Sequence, residues 1–159
     1  MKSLRTYWLI AAAICFIVVI GGAVYEHVCM IPRWKLAPPQ SLTMFQGKYG
    51  INNARFWQSI HPVTLILLIT SLVANWKTAR KKYVAIPVMA YVVVLGVTFA
   101  YFVPELLFII QTPYSDTVNT SLVARAGRWE TLSLVRLVVL VLAAVTLLLG
   151  LTKGNEKSI

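Results

Sequence analysis

Four apolar blocks, each long enough to cross a membrane, constrain this chain more than any other feature. A transmembrane α-helix needs about 20 predominantly apolar residues to span ~30 Å of hydrocarbon. Blocks of that order lie at Thr6–Val28, Ile60–Trp76, Tyr83–Gln111 and Trp129–Leu151. Composition agrees: 58% of the 159 residues are hydrophobic, mean hydropathy is +0.74 and only 13% are charged. An ordinary soluble domain carries about 25% charged residues. The predicted fold is therefore an all-α membrane protein, a four-transmembrane-helix bundle forming one domain over residues 1–159.

The net charge of +10 does not point to nucleic acid, because of where the cations sit. Lys2 and Arg5 precede the first block, the connector Trp76–Lys82 carries KTARKK, and Lys153 and Lys157 follow the fourth block. If the spans alternate, all of these lie on one side. Short cytoplasmic segments collect basic residues, so both termini are expected in the cytoplasm of a plasma (bacterial inner) membrane. The other side carries Arg33, Lys35, Lys48 and Arg55, so the orientation rests mainly on the connector. The basic start and apolar run resemble a signal peptide, but the run is long for one, and a retained helix is expected. Cys15 and Cys29 stand fourteen residues apart on that helix. At about 21 Å along the axis they are too distant to bond to each other, and they read as small apolar filler.

Two larger loops join the spans on the non-cytoplasmic side, at Met30–Ser59 and Thr112–Arg128. Pro38-Pro39 and the two glycines of GKYG mark extended chain and turns. INNARFWQSIHP predicts a helix start with Asn52 or Asn53 as N-cap, which puts Trp57 and His61 on one face. No internal repeat or low-complexity tract is present.

Helical phase, about 100° per residue, sorts the polar residues into stripes. Ala11, Cys15, Val18, Gly22 and Glu26 share a face of the first helix, a small-residue surface suited to close helix contact or to assembly of copies. His27 turns about 100° from Glu26. His61, Thr64, Ser71 and Asn75 align on the second helix, and Tyr91, Thr98, Tyr101 and Glu105 on the third. There Pro104 predicts a kink, with Glu105 inside the bilayer. Trp129, Ser133, Arg136, Leu140 and Ala143 align on the fourth. Lone Thr and Ser residues can bond their own backbone. A charge inside the membrane costs at least ~2.5–3.5 kcal/mol and marks a candidate functional site, which singles out Glu105 and Arg136.

The ends of the four spans thus bring acids, imidazoles and a guanidinium to one layer. Three readings of it stand open. His27, His61, Glu26 and Glu105, with Glu130 beside them, contain the elements of a metal site for zinc, copper or iron. The spacing, however, has no HxxxH, ExxH or CxxC signature. Haem between His27 and His61 is a variant that nothing else in the sequence indicates. In the second reading no metal is bound. Arg136 anchors an acidic or phenolic ligand, and His27 or His61 moves a proton. Tyr101, Trp129 and Ser133 stand beside these residues as contacts for a bound cofactor or ligand. In the third, Arg136 pairs with Glu26 or Glu105 and the layer only fixes the packing. Of these pairings the expected one is Glu26 with Arg136, which leaves His27 the less secure site residue.

Several short motifs together carry a resemblance. They are Gly21, Gly22, Tyr25, Glu26, His27, Pro32 and Trp34 near the end of the first span, and Phe56, Trp57, His61 and Pro62 opening the second. YFVPE at Tyr101–Glu105 and Arg128, Trp129, Glu130, Ser133 and Arg136 complete them. The chain resembles, over nearly its whole length, the anthrone-oxygenase-like family of small four-helix membrane proteins. An Asn often stands in that family where this chain has Ser133, which would change any polar contact made there. The resemblance implies an oxygenase or oxidoreductase, acting on polycyclic phenolic substrates in the best-known members; that substrate is not carried over to this chain, for which a hydrophobic or phenolic small molecule is the expected partner. The rival reading is a non-enzymatic membrane subunit, a binding or transport accessory, whose polar layer is structural.

Overall fold

The structure, a computed structural model, describes residues 2–154. α1 (Lys2–Tyr25) runs without a break into a π turn at Glu26–Met30 and the short α2 (Ile31–Trp34). A 3-10 turn at Gln40–Phe45 lies in the first loop. Then follow α3 (Ala54–Asn75), α4 (Lys81–Val97), a second π turn at Thr98–Phe102, α5 (Val103–Ile110) and α6 (Thr120–Leu151). Four helical segments are long and apolar enough to span a membrane: Leu4–Trp34, Ala54–Asn75, Lys81–Ile110 and Thr120–Leu151. α1 packs on α3 and α6, and α4 packs on the same two, so the order around the bundle is α1, α3, α4, α6.

Leu9, Phe16, Leu68, Val84, Tyr91 and Leu147 are fully buried at the centre. Ile66, Met89, Val93 and Leu142 are more than half exposed on the outside. Helices apolar all round are what a lipid solvent demands. That same property shifts the expected face of α1. Its buried residues are Leu9, Ala12, Ala13, Phe16, Val19 and Ala23, whereas Val18 is exposed and Cys15 only half-buried. The stripe from Ala11 to Gly22 lies at the edge of the contact and not at its centre.

The two π turns end at matching points. Met30 and Phe102 each stand two residues before a proline, Pro32 and Pro104. Proline lacks an N–H and its ring clashes with the carbonyl four residues back. In each case the backbone widens by one residue just upstream: Ile31 N–H donates to the Glu26 carbonyl and Val103 N–H to that of Thr98. The third span is thus reshaped before Pro104.

The segments run longer than the sequence blocks, and the excess builds a second, smaller core at one end. Ile31, Trp34, Leu42, Ile109, Ala126 and Trp129 are buried together there, under the first loop. α6 starts nine residues before the expected Trp129 because Asn119 caps it, accepting from the Ser121 and Leu122 backbone N–H groups at 3.0 and 3.2 Å. At the opposite end Arg80 ties the chain together. Its guanidinium donates to Thr6 Oγ1 at 2.9 Å and to the carbonyls of Lys153 and Leu151 at 2.9 and 3.4 Å.

Candidate functional site

Glu26 and His27 both face the bundle, towards different neighbours. About 100° separates adjacent helical residues, and α1 has α3 on one side and α6 on the other. Glu26 turns to α3: its Oε1 accepts from Trp57 Nε1 at 2.8 Å and Asn53 Nδ2 at 2.9 Å. Asn53 therefore spends its side chain on Glu26 and does not cap α3. The neighbouring Asn52 Oδ1 accepts from the Ala54 N–H at 3.1 Å. His27 turns to α6, with Nε2 3.2 Å from Ser133 Oγ.

Ser133 Oγ is shared. Arg136 donates to it from one terminal nitrogen at 2.9 Å and from the other to Thr98 Oγ1 at 3.0 Å. Thr98 in turn donates to the Val94 carbonyl at 2.7 Å. The guanidinium also lies 4.2 Å from the centre of the Phe102 ring, a cation–π contact. The Ser133 oxygen accepts from Arg136 and keeps one hydroxyl proton and a second lone pair, so it can donate to His27 Nε2 or accept from it. His27 Nδ1 is buried and has no hydrogen-bond partner among the described residues.

Arg136 lies fifteen residues, about 22 Å, from the Leu151 end of α6, well inside a spanning helix. The expected Glu26–Arg136 ion pair is not formed. Among the described residues no carboxylate oxygen lies within 4.0 Å of Arg136, although Glu26, His27 and His61 all fall within its electrostatic range. Glu105 is likewise not Arg136's partner. It is held by Arg125, Nε to Oε1 at 2.7 Å and a terminal nitrogen to Oε2 at 2.6 Å, in the capped end of the bundle. Sequence reasoning missed Arg125, whose signal was a helix start upstream of the apolar block. It also missed Lys35, which is ion-paired with Glu130.

His61 stacks on Trp57, ring centres 5.2 Å apart and planes 21° from parallel, as the four-residue spacing predicts. Its Nδ1 is 2.7 Å from the hydroxyl of Tyr91, which is fully buried. Trp129 donates from Nε1 to the Phe102 carbonyl at 2.9 Å and belongs to the smaller core. Tyr101 packs edge-on against Phe102.

A resident metal needs several free donor atoms converging at ~2 Å. Both Glu105 oxygens are engaged by Arg125, His61 Nδ1 by Tyr91, and Glu26 Oε1 by two N–H donors. Among the described residues no three His, Cys, Asp or Glu side chains group as ligands. His27, His61, Glu26 and Glu105 are thus not gathered into one ligand set. What the layer holds together is Arg136, Ser133 and His27 in one hydrogen-bonded series, with Glu26 across from it.

Arg136, alone of this series, lines a groove of about 620 Å³ between α6 and the α4–π segment. A ligand pocket in the polar layer predicts a cavity touching Arg136 and at least two other spans; this groove touches Arg136 and the third span, and lies on the outer surface of the bundle. No protein family, curated protein or solved structure matches the chain.

Proposed function

We propose that the protein is a small membrane oxidoreductase of the anthrone-oxygenase-like type, which binds the acidic or phenolic oxygen of a hydrophobic molecule at Arg136 and takes up its proton. The observation that carries this reading is Arg136 itself: a guanidinium deep in a spanning helix, held by two hydroxyls, with no carboxylate in contact. An oxyanion would complete its coordination. The proton leaves through Ser133. The substrate O–H bond breaks towards Ser133 Oγ while the Ser133 proton passes to His27 Nε2. An imidazolium remains beside an anion held by Arg136. With dioxygen as the oxidant an oxygenase uses, an ionised phenol would become a quinone: one oxygen atom bonds to a ring carbon, and the other leaves as water with the phenol's proton and the hydrogen of that carbon. Orientation follows from the basic connector: both termini in the cytoplasm and the Arg136 layer towards the other side.

The test uses a long-chain alkyl nitrophenol, whose phenolate is coloured, titrated in vesicles with and without the protein. Its ionisation midpoint is expected to fall by about one pH unit or more in the presence of the protein, the size of one charge-assisted contact. Arg136→Gln should remove the shift. An unchanged shift in that variant would sink the proposal. The rival reading, a non-enzymatic binding subunit, gains from the engagement of His61 with Tyr91. It predicts the same shift without any oxygen uptake.

A further inference from the structure

The groove beside Arg136 has a shape that selects its occupant. It runs along the third span from Met89 to Phe102, thirteen residues or about 20 Å, but meets α6 only between Leu132 and Val139. Its walls are valine, methionine and aromatic side chains, and Arg136 is its one charged lining residue. Several of those walls are lipid-facing: Met89 is 64% exposed, Val93 61% and Val135 58%. The groove therefore opens sideways into the bilayer, where its occupant must already be dissolved. Arg136 meets the third span at Thr98 and Phe102, near one end of the groove. The remainder, down to Met89, is an apolar trough along the third span, nine residues or about 13 Å long.

We infer that the groove takes a single-chain amphiphile from the membrane, its acidic oxygen head on Arg136 and its chain laid along Val97, Val93 and Met89. The head is assigned by charge complementarity, since a guanidinium in hydrocarbon without a contacting carboxylate favours an anion. The chain is assigned by length: the trough is elongated, whereas a compact polycyclic body would leave its Met89 end unfilled. This rests on the proposed role of Arg136 as an oxyanion site and adds the shape of the bound molecule, an acidic head on a single chain, and the lateral route.

The experiment places the full-length protein in phosphatidylcholine nanodiscs with a dodecanoate analogue, whose extended length matches the stretch from Arg136 to Met89, carrying a photoreactive diazirine at its tail. Covalent label is expected on Met89, Ala90 or Val93, competed by dodecanoate and not by methyl dodecanoate. Arg136→Gln should lower it about tenfold, the loss of one charge-assisted contact, and Arg136→Lys should retain part of it. Val93→Trp, which fills the trough at a lipid-facing position, should abolish tail labelling while leaving the protein folded by size exclusion. Label spread evenly over the outer faces of α1 and α3 would overturn the inference, as would equal competition by the methyl ester. Failure of the two ideas is separable. Labelling that passes while the nitrophenol shift is absent removes the proton-transfer reading and keeps the lipid site. The shift without head-group-dependent labelling removes the single-chain substrate alone.

Discussion

Glu26 and Arg136 act on each other across the bundle without touching. The carboxylate is held by Trp57 and Asn53 of α3 and its flank, and the guanidinium by Thr98 and Ser133. Each charge thus has neutral donors or acceptors of its own, and the two are kept apart. A buried pair in contact would neutralise itself. A separated pair leaves each charge free to meet a third group.

Two substitutions at Glu26 should therefore behave differently. Glu26→Gln keeps a carbonyl oxygen for both Trp57 and Asn53, so stability should hardly change. Glu26→Ala leaves an indole and an amide N–H without an acceptor, at a cost of about 2–4 kcal/mol, read as a lower unfolding temperature in detergent. Removing the negative charge should also tighten binding of an anionic ligand at Arg136. One unit charge several ångströms away at an effective dielectric near 20 is worth about a factor of ten. Weaker binding by Glu26→Gln would mean that Glu26 contacts the ligand itself.

Adjacent glycines on α1 give a sharper contrast. A Cβ at Gly22 would stand 2.6 Å from Phe56 Cε1 and 3.3 Å from the Trp57 ring, whereas one at Gly21 meets nothing within 4 Å. Gly21→Ala should be neutral or stabilise by up to about 1 kcal/mol. Gly22→Ala must displace Phe56 and press on the indole that holds Glu26, costing about 1–3 kcal/mol. Thermal unfolding of the two variants side by side decides this. Equal effects would mean that α1 and α3 are not packed in this register.

The four spans were legible because a bilayer imposes a length that few other environments do. Their inward faces were less so. On α3, Thr64, Ser71 and Asn75 align and all three are fully buried, because polar side chains avoid lipid. On α1 the candidate face held, short of Glu26 at its end, only small and apolar residues, which suit lipid and core alike, and the face settled at the contact's edge. Partners were harder still. Whether Glu105 meets Arg136 or Arg125 depends on how far α6 extends before the membrane, and Asn119 sets that. The π turns had a signal in Pro32 and Pro104, read as a kink at one and as loop chain at the other.

Arg80 should be the strongest single stabiliser of the terminal end. It lies in the basic connector yet is only 6% exposed, and it joins α1, the α3–α4 turn and the carbonyls of Leu151, the last residue of α6, and Lys153 just past it. A cation there also meets the negative end of the α6 dipole. Arg80→Ala should cost about 2–4 kcal/mol. Arg80→Lys restores the charge but not the fork of donors, and should recover less than half. Unfolding in mixed micelles measures both. A full rescue by lysine would assign the effect to charge and not to the three directed bonds.

The last prediction concerns Tyr91 and His61. The Tyr91 hydroxyl is buried in the bundle centre, with His61 Nδ1 at 2.7 Å, and His61 stacks on the Trp57 ring that donates to Glu26. Tyr91→Phe keeps the ring that packs edge-on against Phe16 and strands the imidazole nitrogen, costing about 1–3 kcal/mol. Replacing both partners by apolar groups leaves nothing unsatisfied. The same Tyr91→Phe change should therefore cost much less in a His61→Leu background. The double-mutant cycle is expected to give a coupling of about 1 kcal/mol or more. Because His61 also orients Trp57, Tyr91→Phe should loosen the hold on Glu26, seen as a change in Trp57 fluorescence. A coupling near zero would mean that the hydroxyl and imidazole are not bonded, and that His61 is free to take up a proton at the site.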